Sequence, residues 1–169
     1  YSESKEALDL FPNQPSFYFF NGFSSIQKKK YEEAIKVLDQ GKEMVIDNNP
    51  LLEQFYSTLG DAYNSLKDYP KSDSSYEKAL QINPDNMYVL NNYSYYLSLR
   101  KENLERAEKM SKHSNDLEPN SPSFLDTYAW ILYQMGRYDE AKKWIEKAFA
   151  AGADTNGTIL EHYGDILFK

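Results

Sequence analysis

The residues best suited to metal chemistry are two histidines, because the 169-residue chain contains no cysteine. His162 has Glu161 beside it and Asp165 three positions further on, which is the one cluster of metal-ligand residue types. Neighbouring residues on a helix point in different directions, and no second histidine lies at a spacing that would complete a coordination sphere. His113 falls in a polar stretch typical of a solvated helix end. We therefore predict no metal site.

Other catalytic patterns are missing from the sequence as well. It contains no nucleophile elbow, no glycine-rich phosphate loop and no dinucleotide fingerprint. The 26 acidic residues outnumber the 19 Lys and Arg, giving a net charge of −7, which argues against a nucleic-acid partner. No apolar run is long enough to cross a bilayer. We predict a non-catalytic chain with no catalytic residues, no cofactor and no membrane-spanning segment.

Aromatic side chains are unusually abundant, with 15 Tyr, nine Phe and two Trp against only seven Gly and seven Pro. This composition favours helices that pack through large amphipathic rings. It leaves little material for tight β-turns.

A repeated pattern of large and small residues organises these helices. It is clearest over residues 53–86, where the defining positions are Tyr56, Leu59, Gly60, Tyr63, Tyr76, Ala79 and Pro84. The same frame recurs over 87–121 and 122–156, and in a longer form over 15–52. Residues 1–14, with Ala7 and Pro12, predict the second helix of a preceding repeat, and residues 157–169 predict a first helix. We predict that residues 1–169 form a single array.

This pattern resembles the tetratricopeptide repeat family over essentially the whole chain. The resemblance implies an all-α fold: a right-handed α-α superhelix of about ten helices, stacked as helix-turn-helix hairpins. The residues agree, because small side chains recur where helices would cross: Gly60, Ser94, Ala129 and Gly164 in first helices, and Ala79, Ser114 and Ala148 in second helices. A lone hairpin cannot bury its apolar stripe, so stacking makes the core.

Turn residues lie between the predicted helices. Asp68 and Pro70 mark a helix start, and Gly136 marks a helix end. The dipeptides Asn83-Pro84 and Glu118-Pro119 end second helices, because a residue before proline avoids the helical conformation.

The resemblance further implies that first helices line a concave groove that holds a peptide. The groove positions carried over to this chain include Phe19, Phe23, Asn64, Tyr88, Asn91, Tyr95, Asp126, Trp130, Tyr133 and Gln134. Aromatic rings at helical spacing are often core residues, and this alternative stays open for Phe19 and Phe23. Trp130 and Tyr133 share a helix face away from the apolar stripe.

The predicted function is a protein-interaction scaffold that binds a peptide or protein segment in this groove. The groove positions carry no Lys or Arg apart from the terminal Lys169, so the family's carboxylate clamp is not expected. The alternative is a docking or regulatory segment of a longer enzyme or secretion component. The compartment stays open between a bacterial envelope or periplasm and the cytoplasm.

The terminal helix leads to one further expectation. We expect Leu160, Tyr163 and Leu167 to face the preceding repeat. Ile159, Ile166 and Phe168 would then be exposed where a second helix normally packs, which predicts self-association through this helix.

Overall fold

The computed structural model describes residues 10–152 and 156–169, and within them every regular element is a helix. The helices are α1 (Pro15–Gln27), α2 (Tyr31–Lys42), α3 (Asn49–Ser65), α4 (Tyr69–Ile82), α5 (Met87–Arg100), α6 (Leu104–Leu117), α7 (Pro122–Gln134), α8 (Tyr138–Ala150) and α9 (Gly157–Leu167). The all-α prediction is confirmed. The helix predicted within residues 1–14 falls almost wholly outside the described residues.

The helices pair as consecutive hairpins: α1 with α2, α3 with α4, α5 with α6, and α7 with α8. The chain divides into two compact units, one ending at Pro84 and the other beginning at Asp85. In the N-terminal unit α3 packs on α2 and on α1. In the C-terminal unit α7 packs on α5 and α6, and α9 packs on α7 and α8. First helices are therefore neighbours within each unit.

Close contact at Gly60 illustrates why small residues recur at the crossings. A Cβ built on Gly60 would lie 2.8 Å from the ring of Tyr76, which is fully buried. Ser72, at a position where the repeat pattern has alanine, donates a hydrogen bond from its hydroxyl to the Gly60 carbonyl at 2.9 Å. The buried hydroxyl of Ser72 thereby has a hydrogen-bond partner.

The turns confirm most of the predicted signals. Gly136 adopts a positive φ of 77° just after α7, the conformation for which glycine is suited. Asp68 precedes α4 and its carboxylate lies 2.9 Å from the ammonium of Lys71. In the third hairpin the turn of residues 101–103 contains two left-handed residues, Lys101 and Asn103.

The expectation for the terminal helix is wrong for its leucines and isoleucines, whereas Phe168 is exposed as expected. Ile159 and Ile166 are each only 3% exposed, whereas Leu160 and Leu167 are 45% and 44% exposed. The two isoleucines join the core formed by α7 and α8. Leu160 and Leu167 occupy the places that Leu125 and Leu132 hold on α7, where those leucines are buried in the core that includes the second helix α8. The two apolar faces of α9 are thus the reverse of the prediction.

Gly164 also departs from its predicted role. Nothing lies within 4 Å of a Cβ built on it, so it is not a crossing point. Of the predicted inward stripe, Tyr163 does contact the preceding hairpin, with its ring 4.4 Å from that of Phe149.

No helix among the described residues combines the length and apolarity needed to cross a membrane.

Candidate functional site

The predicted groove residues fall in both units, and those of the N-terminal unit are partly structural. Phe19 packs against the core that contains Leu38 and Phe55, and its ring meets Phe55 edge-on at 5.5 Å. Phe23 is 47% exposed and stacks on Phe19 at 6.3 Å. Asn64 is half-buried near the end of α3. The core interpretation therefore applies to Phe19, and Phe23 remains available at the surface.

In the C-terminal unit, side chains from three first helices meet in one place. Asn91 and Tyr95 come from α5, Asp126 and Trp130 come from α7, and His162 comes from α9. We call these five residues the His162 cluster. They converge because α7 packs on both α5 and α9. Four of them, all except His162, are among the residues predicted for the groove.

A buried histidine–aspartate pair forms the base of the cluster. His162 Nδ1 lies 3.0 Å from each carboxylate oxygen of Asp126, and the two side chains are only 6% and 7% exposed. Sequence reasoning missed this pair, since it compared His162 with its own helix neighbours. The available signal was the spacing of 36 residues, about one repeat, which brings the two onto adjacent first helices.

Three aromatic rings lie beside the pair, and two of them are stacked. The Trp130 indole lies 4.0 Å from the His162 ring with an interplanar angle of 13°, and the Tyr133 ring stacks on the Trp130 indole at 5.0 Å and 18°. Tyr95 approaches His162 at 6.0 Å. The indole Nε1 is buried and has no hydrogen-bond partner within the described chain. The predicted pairing of Trp130 and Tyr133 on one face therefore places both rings in the stack.

An open cleft of about 230 Å³ borders the cluster. Its walls are Asn91, Tyr95, Ser123, Asp126, Thr127, Asn156, Thr158 and Ile159. Asn91 is 8% exposed; its Nδ2 donates to Asn92 Oδ1 at 3.3 Å, while its Oδ1 has no partner among the described residues. The pKa of Tyr95 is raised, first by burial and then by the negative charges of Asp126 and Glu161. The cleft is thus acidic and rich in acceptors.

The remaining predicted residues of this unit, Tyr88 and Gln134, are not among the residues that line the cleft. Tyr88 is 61% exposed and meets Phe124 edge-on at 5.8 Å, and Gln134 is half-buried at the end of α7. His113 is 43% exposed, with its Nε2 2.7 Å from Asp85 Oδ1. Over residues 10–152 and 156–169, no three potential metal ligands come together. The arrangement suits recognition of another molecule by rings and hydrogen-bond acceptors.

Comparison with known proteins agrees with this architecture. The sequence model of the tetratricopeptide repeat family matches residues 53–86 and 123–151. A TPR repeat-containing protein of Pseudomonas aeruginosa is 28% identical over 135 residues, which is 79% of this chain and 22% of that protein. The chain is a tetratricopeptide repeat protein.

Two further similarities concern pilus proteins. This tetratricopeptide repeat protein is 25% identical over 153 residues to the type IV pilus assembly protein PilF of Pseudomonas aeruginosa, which covers 90% of the chain and 59% of PilF. A solved structure of Pseudomonas aeruginosa PilF superposes with a TM-score of 0.78 at 21% identity, covering 91% of this chain and 68% of that one. At this identity the superposition shows the shared fold. The chain spans about a fifth and about three-fifths of the two curated relatives.

Proposed function

We propose that this tetratricopeptide repeat protein is a non-catalytic interaction scaffold that holds an extended segment of a partner protein. The segment lies on the surface formed by α5, α7 and α9, with the His162 cluster at its centre. The observation that carries this proposal is the convergence of side chains from three first helices on one cleft. Repeats of this family provide protein-interaction surfaces in general, and this convergence gives the surface a defined centre.

The chemistry of the cluster supports binding of a peptide. Tyr95 and Trp130 are partly exposed rings with polar groups, the residue type that dominates interface energetics. Asn91 Oδ1 is an unused acceptor at the cleft, and a peptide N–H is a donor that could satisfy it. A single peptide segment lying across the three helices would contact both the aromatic rings and the Asn91 acceptor.

Selection from a library of random peptides, followed by calorimetry on the enriched peptides, tests the proposal. Trp130→Ala should weaken binding by about 1–3 kcal/mol, roughly 5- to 150-fold, because interface tryptophans contribute strongly to affinity. Trp144→Ala is the matched control, since Trp144 lies on the second helix α8 and its ring packs edge-on against Tyr128. Thermal melts of both variants separate lost binding from lost folding. Equal affinity of the wild type and a folded Trp130→Ala variant would contradict the proposal.

A second candidate is that the chain is a docking or regulatory segment of a longer enzyme or secretion component. The observation that favours it is the similarity to PilF, a protein named for type IV pilus assembly, of which the chain spans 59%. An antibody raised against this chain and used on native lysate would report the size of the parent polypeptide. A longer polypeptide with a catalytic or secretion domain would support this candidate, and one of this length alone would contradict it.

A further inference from the structure

The acceptor groups at the His162 cluster exceed the donors available to them. Asn91 is more than nine-tenths buried, lines the cleft, and has a side-chain oxygen without a partner in the described chain. A buried acceptor of this kind carries a desolvation penalty that a bound donor would remove. This oxygen therefore indicates that an occupant of the cleft presents an N–H or O–H group.

The Asp126 carboxylate has unused acceptor capacity in the same cleft. Its two oxygens share one donor, the Nδ1 of His162, at 3.0 Å each. An ionised carboxylate has about four acceptor sites, so a single shared donor leaves most of them free. The Asp126 side chain is only 7% exposed, so water solvates its carboxylate poorly. A single N–H would satisfy Asn91 but would leave the remaining acceptor sites of this carboxylate unused.

The surroundings of the cleft add negative charge and aromatic surface. None of the eight residues in its wall is a Lys or an Arg. Glu161 is close enough, together with Asp126, for its charge to contribute to the raised pKa of Tyr95. The rings of Tyr95 and Trp130 lie beside the carboxylate through their contacts with His162, and aromatic faces attract cations.

We propose that this cleft is a subsite for one positively charged side chain, arginine in preference to lysine, on the partner segment. The planar guanidinium carries five N–H donors, enough to serve both Asn91 Oδ1 and the Asp126 carboxylate, whose residues line the same cleft. The volume of about 230 Å³ is below that of ordinary small-molecule pockets, which suits a single side chain. This inference rests on the proposed scaffold function and specifies the chemistry of its ligand.

Titration of the ¹⁵N-labelled protein with N-acetyl-arginine methylamide, followed by NMR, tests the subsite. We expect saturable shifts at the amides of Asn91, Tyr95 and Asp126 and at the Trp130 indole. The citrulline analogue has nearly the same shape without the charge, and it should bind at least about tenfold more weakly because charge-assisted hydrogen bonds are the stronger ones. Equal binding of the two probes would overturn the proposal.

Two substitutions assign the site. Asp126→Asn should reduce the affinity for the arginine probe at least about fivefold, whereas Asp139→Asn, which removes an equal charge from the exposed first turn of α8, should leave it within about twofold. If Asp126→Asn disturbs the amide spectrum globally, Asn91→Ala replaces it and should also weaken the arginine probe. Unchanged affinity in a folded variant at either position overturns the proposal.

The library experiment separates this inference from the scaffold function. Enriched peptides that depend on Trp130 but show no preference for Arg or Lys would overturn the cationic subsite and leave the scaffold intact. Binding of the arginine probe without enrichment of any peptide would support the subsite and contradict the scaffold. Enriched peptides with a basic residue that is lost on Asp126→Asn would support both.

Discussion

At the scale of single residues, close backbone approach depends on positions that hold no side chain. Gly60 is the clearest case, because an added Cβ would lie 2.8 Å from the Tyr76 ring, inside any normal contact distance. Tyr76 is fully buried, so its ring has little room to move. Gly164 lies on another first helix with nothing within 4 Å of its added Cβ. Glycine is thus required at this position of α3, whereas a side chain fits at the equivalent position of α9.

This contrast predicts opposite effects of one substitution. Gly60→Ala should lower the free energy of unfolding by about 1–3 kcal/mol, because the added methyl overpacks the contact with Tyr76. Gly164→Ala should leave it unchanged or raise it by about 0.5–1 kcal/mol, because alanine has the higher helix propensity. Urea unfolding followed by circular dichroism measures both. A Gly60→Ala variant as stable as wild type would show that the α3–α4 crossing can relax.

At the scale of helices, α9 shows that one apolar face can be covered while the other is exposed. Ile159, His162 and Ile166 follow helical spacing and are all buried. Leu160 and Leu167 lie on the neighbouring face and are nearly half exposed. Packing on α7 and α8 therefore holds this helix in place, and the His162–Asp126 pair depends on that packing.

Adjacent residues on α9 should respond differently to truncation. Ile166→Ala removes a buried side chain and should cost about 2–5 kcal/mol, most of it local to α9. Leu167→Ala removes an exposed one and should stay within about 0.5 kcal/mol. Hydrogen exchange read by mass spectrometry should show faster exchange of the α9 amides in the first variant alone. Equal protection of α9 in the two variants would contradict the packing described for this helix.

At the scale of the whole molecule, the surface carries an apolar region at the end of the chain. Phe168, just after α9, is 92% exposed, and Leu160 and Leu167 are nearly half-exposed side chains seven residues apart on α9. Exposed apolar side chains of this kind favour association with another molecule. We propose that two copies of the chain associate through α9, as the sequence led us to expect, with the leucines rather than the isoleucines at the contact.

Sedimentation velocity over a range of protein concentrations tests this association. The wild type should show a rising sedimentation coefficient, and the double variant Leu167→Glu with Phe168→Glu should remain monomeric because added charges oppose burial. Ile46→Glu is the control, since Ile46 is 82% exposed and lies in the loop between α2 and α3. Monomeric wild type at every concentration would rule the association out.

The sequence alone determined the fold class and the positions of most helix ends. Apolar and small residues recur in one frame, and stacked hairpins are the arrangement that buries such repeated stripes. Turn signals such as Gly136, Asn83-Pro84 and Glu118-Pro119 are local, because they act through backbone conformation within a few residues. The frame also predicted groove positions, including Tyr95, Asp126 and Trp130, and this assignment stays a prediction.

Only the tertiary structure decided which of these residues work together. Sequence assigns apolar residues to both faces of α9, but which face is covered depends on which neighbours are present, and α7 and α8 cover the isoleucines. His162 looked like an isolated histidine because its partner Asp126 is 36 residues away on another helix. Burial and side-chain pairing depend on which helices pack together. Local sequence sets the propensity to form a helix, but it does not determine which side chains of other helices will contact that helix.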